Sequence, residues 1–248
     1  MSGSFQAALY LLQPLKHDWQ SRLLKIKLMQ TSQNWIQKVL DINKIYYSIF
    51  IGVACIIIGI IFNSLFVTEV TYSQWYDGIM TRSQIQDTVA YLKKWEIGVA
   101  LLNVLFVFIK MAGVAMCLYL GVFLFASQNT SFTTFFNITL KGEIVFIVYS
   151  IVRIFWYRFV HMPESIEALQ VLPLSLMNFF DPAVIEPWLI YPLSTLNLFE
   201  VFYVFTLSGL MMTAMAIKFK KALELVFVSY GAGLLLLMIV QMFVILNR

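Results

Sequence analysis

The sequence predicts an all-α polytopic membrane protein with five transmembrane helices, its N-terminus in and its C-terminus out. Three observations carry this. Of the 248 residues, 60% are hydrophobic and 12% charged, and the mean hydropathy is +0.82. An average soluble domain needs about 25% charged residues to coat itself, so lipid must solvate much of this surface. Apolar runs of the length that crosses a bilayer, about 20 residues, recur along the chain, and Lys and Arg gather unevenly between them.

Residues 1–44 read as a cytoplasmic leader. Residues 1–15 lack a basic n-region and a small-residue cleavage site, so no cleavable signal peptide is expected. Within 18–44, Leu28, Trp35, Val39 and Ile42 share an approximate helical face, with Arg22, Lys25, Lys38 and Lys44 among the polar positions. That pattern predicts a basic amphipathic helix lying on anionic inner-leaflet lipids. The strand-like alternation Lys25-Ile26-Lys27-Leu28 keeps a solvated leader open as the other reading.

Residues 45–246 form the transmembrane domain. The first span is 45–67. The outer loop 68–96 turns at Asp77-Gly78, and Thr81 with Gln84 has capping-box spacing that opens an amphipathic helix. The second span, 97–126, is interrupted only by Asn103 and Lys110. Splitting it at Lys110 would leave two pieces too short to cross, so it is one long helix, tilted or projecting from the membrane. The third span, 144–160, is shorter and contains Arg153 and Arg158. The outer loop 161–197 holds five of the six prolines and no Lys or Arg, and should pack against the membrane face or another protein. Spans 198–217 and 222–246 follow, joined by the basic connector around Lys218, Lys220 and Lys221. With the N-terminus inside, ten Lys and Arg fall on the inner side and five on the outer, which sets the orientation.

The net charge of +4 does not signal nucleic-acid binding, because the basic residues sit at the ends of apolar runs and no aromatic-interleaved groove is visible. Cys55 and Cys117 lie inside spans, which argues for packing rather than a disulfide or a thiolate metal site. No catalytic motif, cofactor or metal site is expected. His161 and His17 are the only histidines, and His161-Met162-Pro163-Glu164 is not a paired-ligand motif.

Ionisable groups within spans are the functional suspects, since each is costly in lipid unless paired or hydrated. Lys110, Arg153 and Glu200 are these groups, with Asn103 seven residues before Lys110 on nearly the same face. One reading is a polar cavity for an anionic substrate. The other, favoured by the single acid, is an interhelical Glu200–Arg153 or Glu200–Lys110 pair that fixes packing. Small residues mark close helix contacts: Gly113, Cys117 and Gly121 on the second span, and Gly52, Cys55 and Gly59 on the first.

In the C-terminal half, Pro173-Leu174-Ser175-Leu176 precedes Leu196-Asn197-Leu198-Phe199-Glu200 at the entry of a span. Leu207-Ser208-Gly209-Leu210, the connector Lys220-Lys221-Ala222 and a final apolar helix come after it. Over residues 45–246 this order resembles the bacterial branch of the Yip (Ypt-interacting protein) family. The resemblance implies five spans, a cytoplasmic N-terminus and no catalytic residues. Eukaryotic members act as scaffolds around small GTPases and vesicle traffic, but this chain departs from them in lacking a long acidic or Pro-rich arm.

The expected function is a non-catalytic integral subunit or scaffold of a larger membrane assembly in the bacterial inner membrane, linked to export or trafficking. Its partners would be the lipid bilayer and other membrane-protein subunits. Two rivals stand beside it: a small transporter or channel subunit using the polar intramembrane residues, and a lipid-binding protein with Phe155, Trp156 and Tyr157 of the third span against lipid.

Overall fold

A computed structural model describes residues 31, 33–126, 130–160, 162–163, 165, 167–170, 172–180 and 184–247. The chain divides after Asp41. In the first unit, residues 33–41 are helical with Trp35 and Lys38 exposed; Arg22 and Lys25 lie outside the described residues, and with them most of the surface helix expected there.

The second unit is all-helical among its described residues. Helix α1 (Lys44–Phe66) starts where the Asn43 side chain accepts from the amide of Ile45, 2.9 Å away. Its 23 residues extend about 34 Å. A short α2 (Glu69–Trp75) and α3 (Arg82–Lys94) follow, packed on each other through Tyr72, Ile85 and Val89. The turn between them uses Gly78 at φ +72°, a left-handed conformation that glycine adopts without a Cβ penalty. The Thr81–Gln84 capping box forms in both directions, as its spacing predicts. Helix α4 (Glu96–Ala126) is one unbroken helix of 31 residues, Lys110 included.

Next come α5 (Phe132–Gly142) and α6 (Ile144–Phe159), separated only by Glu143, itself in helical conformation at φ −58° and ψ −18°. Two 3₁₀ turns, a short α7 (Pro187–Thr195), α8 (Leu198–Met215) and α9 (Phe219–Leu246) complete the chain. The side chain of Asn197 caps α8 by accepting from Glu200 N at 3.0 Å. Ala216, at φ +52°, ends it and lets the chain reverse within three residues.

Four of these helices, α1, α4, α8 and α9, are long and apolar enough to cross a membrane. The expected third span, residues 144–160, is only the 16-residue α6, and the segment before it, expected as an inner loop, is a helix packed into the bundle. Phe135, Ile138, Thr139, Leu140, Lys141 and Gly142 of α5 are all buried. The reason is visible in the apolar spacing Phe132, Phe135, Phe136 and Leu140, which follows a helical period. Intervening Thr, Asn and Lys dilute the hydropathy and hide it.

Helix α4 is the hub, packed against α1, α5 and α9, while α8 lies against α5, α6 and α9. Ile51, Met111, Leu140 and Ile147 form a core cluster where α1, α4, α5 and α6 meet. The described part of residues 161–197 folds back onto the bundle. Met177 is buried, α7 packs on α9, and Trp75 donates to the carbonyl of Pro163 at 2.8 Å.

The small residues of α4 mark its approach to α9. A Cβ on Gly121 would collide with the side chain of Ser229, and Cys117 Sγ lies 2.7 Å from where a Cβ on Gly233 would stand. Gly113 and Gly59 have no neighbour within 4 Å, and Gly52 has only Val104, at 3.7 Å. Gly121→Ala should therefore cost about 1–3 kcal/mol, the usual range for overpacking, read as a lower melting temperature in detergent. Adding Ser229→Gly removes the obstructing Cβ and recovers most of that loss, while Gly113→Ala melts like the parent. A Gly121→Ala variant of unchanged stability would rule out this close approach.

Candidate functional site

A polar cleft of about 570 Å³ lies between α1, α4 and α6. Its walls carry Cys55, Phe62 and Asn63 from α1, Asn103 and Lys110 from α4, Glu143 at the α5–α6 junction, and Tyr149, Ser150 and Arg153 from α6. Tyr149 and Arg153 are four residues apart on one helix and so share a face.

Lys110 sits near the midpoint of α4, and its ammonium is 2.6 Å from Glu143 Oε1 and 3.8 Å from the centre of the Phe146 ring. Glu143 is only 2% exposed. A carboxylate that buried is strongly unfavourable without a counter-charge, and Lys110 supplies it. The second oxygen, Oε2, is buried with no hydrogen-bond partner. Glu143 reaches this position because Gly142 beside it lets α8 approach: the side chains of Tyr203 and Leu207 come within 3.0 and 3.1 Å of where a Cβ would stand. Two residues earlier on the chain, Lys141 is 1% exposed and turns to the start of α1 instead. There it donates to the carbonyl of Ile42 at 3.0 Å and lies 3.9 Å over the Tyr47 ring. The Tyr47 hydroxyl donates back to the carbonyl of Lys141 at 3.3 Å.

Arg153 occupies the other end of the cleft. One Nη donates to the carbonyl of Leu169 at 3.0 Å, shared with the Tyr157 hydroxyl at 3.1 Å. The guanidinium lies 5.1 Å from the Phe62 ring centre and 5.3 Å from that of Tyr157. Its Nε and the hydroxyl of Tyr149 are buried without hydrogen-bond partners.

Glu200 pairs with neither cation. Its Oε2 accepts from the Tyr230 hydroxyl of α9 at 2.6 Å, and it is not among the residues lining the cleft. Between these regions stands Tyr203, fully buried, with its ring 4.7 Å from Phe146 and 5.4 Å from Tyr230. An interhelical ion pair does form on Lys110, but the acid is Glu143. Glu200 lies in the first turn of α8, which packs towards α9.

Of the residues expected from sequence, Lys110, Arg153, Asn103 and Gly59 meet at one cleft, while Glu200 lies outside it. Glu143, Tyr149, Asn63 and Ser150 were not anticipated. Glu143 was hidden because it falls at the edge of an apolar run, where an acidic residue reads as a boundary. The helical period of 132–140 was the signal that would have placed it inside the bundle. Among the described residues, no group of three His, Cys, Asp or Glu side chains could hold a metal ion.

Comparison with protein-family models, curated proteins and solved structures yields no match. What the site can do rests on its own chemistry: a notch whose described lining carries two cations and one anion.

Lys110→Met would strand the Glu143 carboxylate. The expected loss is about 3 kcal/mol, the low end for unpairing a buried ion pair, because Lys110 itself is half-exposed. Lys110→Met with Glu143→Gln removes both charges and should regain at least half of it in thermal or denaturant melts. A double variant no more stable than the single one would show that the pair is not what the bundle depends on.

Proposed function

We propose that the chain is a non-catalytic integral membrane protein that receives an anionic group in the cleft between α1, α4 and α6, in the class of small transporters and their membrane subunits. The observation that carries this reading is the charge distribution of the cleft. Lys110 and Glu143 neutralise each other at 2.6 Å, and Arg153 remains facing the cavity with a buried, unpartnered Nε. Uncompensated charge at membrane depth is retained where it meets a substrate, an ion or water.

The same reading takes α5 and α6 together as one broken crossing. Residues 132–159 extend about 42 Å as helix, enough to span despite the break at Glu143. That gives five crossings and puts the two termini on opposite sides, the N-terminus inside by the distribution of Lys and Arg. It is the arrangement implied by the Yip-like residues and suits a bacterial inner membrane. A second reading, as a subunit or scaffold of a larger assembly, is favoured by one surface: Phe179, Phe180 and Val184 of the outer loop are exposed, Phe179 to 82%.

The two cysteines make the cleft testable. Cys55 lines it, whereas Cys117 is wedged against Gly233 between α4 and α9. In open membrane fragments, a membrane-impermeant maleimide should label Cys117→Ala, which retains Cys55. It should leave Cys55→Ala unlabelled until the protein is denatured. Absence of labelling at Cys55 under conditions that label a water-exposed control cysteine would mean a dry notch and would overturn the reading.

A further inference from the structure

Resting on the cleft as a site for an anionic group, we infer that its occupant is the phosphodiester headgroup of an anionic membrane lipid, seated at Arg153 with its acyl chain leaving between α1 and α4. Three observations on this chain select that chemistry. Among the described residues, the charged groups lining the cleft are Lys110, Glu143 and Arg153; with the first two compensated, one positive charge is left, matching the single negative charge of a phosphodiester. The groups left unsatisfied at that end are donors. Arg153 Nε and the Tyr149 hydroxyl are both buried without an acceptor, and Tyr149 is only 9% exposed. Asn63, Asn103 and Ser150 add polar groups on the same walls. A group with several acceptor oxygens and no donors answers that arrangement, and guanidinium–phosphate hydrogen bonds are among the stronger ones.

The second observation is the lip. Leu102 and Phe106 line the cleft and are also more than half exposed. Opposite them, Gly59 has no atom within 4 Å of where a Cβ would be. Both helices of the lip are long, apolar spans, so in a bilayer this opening faces acyl chains rather than water. Through this side opening a lipid can enter with its chain in place, while water and small soluble reagents reach the cleft from the aqueous end.

Depth is the third. Arg153 lies against Phe62, one turn before the end of α1 at Phe66, and Asn103 is two turns from the start of α4. The donors are thus about 5–10 Å from one end of the bundle along the helix axes, close to the boundary between headgroups and acyl chains.

The test uses the full chain purified in mild detergent, with phosphatidylglycerol, phosphatidylcholine or water-soluble glycerol 3-phosphate added. The readouts are lipid retained in native mass spectrometry and the melting temperature. Phosphatidylglycerol should be retained and should raise the melting temperature, while phosphatidylcholine and millimolar glycerol 3-phosphate should do neither. Arg153→Gln should weaken phosphatidylglycerol binding about tenfold or more, the effect of losing one charge-assisted hydrogen bond. Gly59→Leu, which fills the lip without touching a charge, should weaken it as well and serves if Arg153→Gln fails to fold. Equal retention of phosphatidylcholine, or binding unchanged in both variants, overturns the inference. Stabilisation by glycerol 3-phosphate as large as that by the lipid replaces the lipid with a soluble anion and leaves the cleft reading standing. Cys55 labelling on the same preparation separates the two failures: a labelled Cys55 without lipid binding sinks only this inference, and an unlabelled one sinks both.

Discussion

Burying a carboxylate to 2% exposure among apolar helices is a demand that the rest of the bundle has to meet. Glu143 stands at the joint between α5 and α6, and Lys110 meets it at 2.6 Å from the middle of α4. Removed from water, a lone charge in this place would be far more costly than any single packing contact is favourable. The pair therefore couples three helices. It keeps Lys110 inside an otherwise apolar α4, and it holds the α5–α6 joint against α4. It also leaves a polar wall where the bundle would otherwise close. Lys141, two residues away, applies the same logic to the start of α1, using a carbonyl and an aromatic face in place of a carboxylate.

Helices α1, α3, α4, α8 and α9 were legible in the sequence because their signal is strong: long apolar runs, a recognisable cap at Thr81–Gln84 for α3, and a basic connector at Lys218–Lys221. The α4 helix also held as one piece through Lys110, as the shortness of its halves required. What the sequence concealed was α5. Its residues alternate apolar with Thr, Asn and Lys, so a hydropathy average reads it as a loop, and only the helical period of its phenylalanines shows otherwise. With α5 unseen, Glu143 looked like a span boundary and Glu200 was the single acid left to pair. Glu200 instead accepts from Tyr230 at 2.6 Å, a neutral partner that no count of charges could have suggested. Among the site residues, those that break an apolar run (Lys110, Arg153, Asn103) were visible. Tyr149, Asn63 and Ser150 were not, because a tyrosine, an asparagine near a helix end and a serine are ordinary in membrane helices until the fold brings them together.

The two halves of α4 do different work. Towards its C-terminus, Gly121 and Cys117 bring it into close contact with Ser229 and Gly233 of α9, so that no gap remains for a ligand or for lipid. Towards its N-terminus, the residues from Val99 to Lys110 form one wall of the cleft, and Gly59 across from them is unoccupied. A helix held tightly against α9 at one end, and meeting α1 at Val104 and Val107 but not at Gly59, leaves a cleft between them. Small residues thus do opposite things along the same bundle. Where a partner backbone approaches they remove an obstruction, and where none does they leave a space.

The cleft's polar lining starts from the same pairing. Lys110 and Glu143 line it together with the polar groups Asn103, Asn63, Ser150, Tyr149 and Arg153, set among apolar side chains such as Ile58, Leu102 and Val107. Filling the notch with aliphatic side chains would leave Arg153 Nε and the Tyr149 hydroxyl without acceptors, at about 1–3 kcal/mol each. Leaving it to hydrocarbon would do the same. The arrangement is stable in a membrane only if water or an acceptor-rich group enters, and the guanidinium of Arg153, already held in place by the carbonyl of Leu169 and the Phe62 and Tyr157 rings, loses little freedom when one does. A cation fixed by a carbonyl and two ring faces, with no carboxylate paired to it among the described residues, is preorganised for an anion.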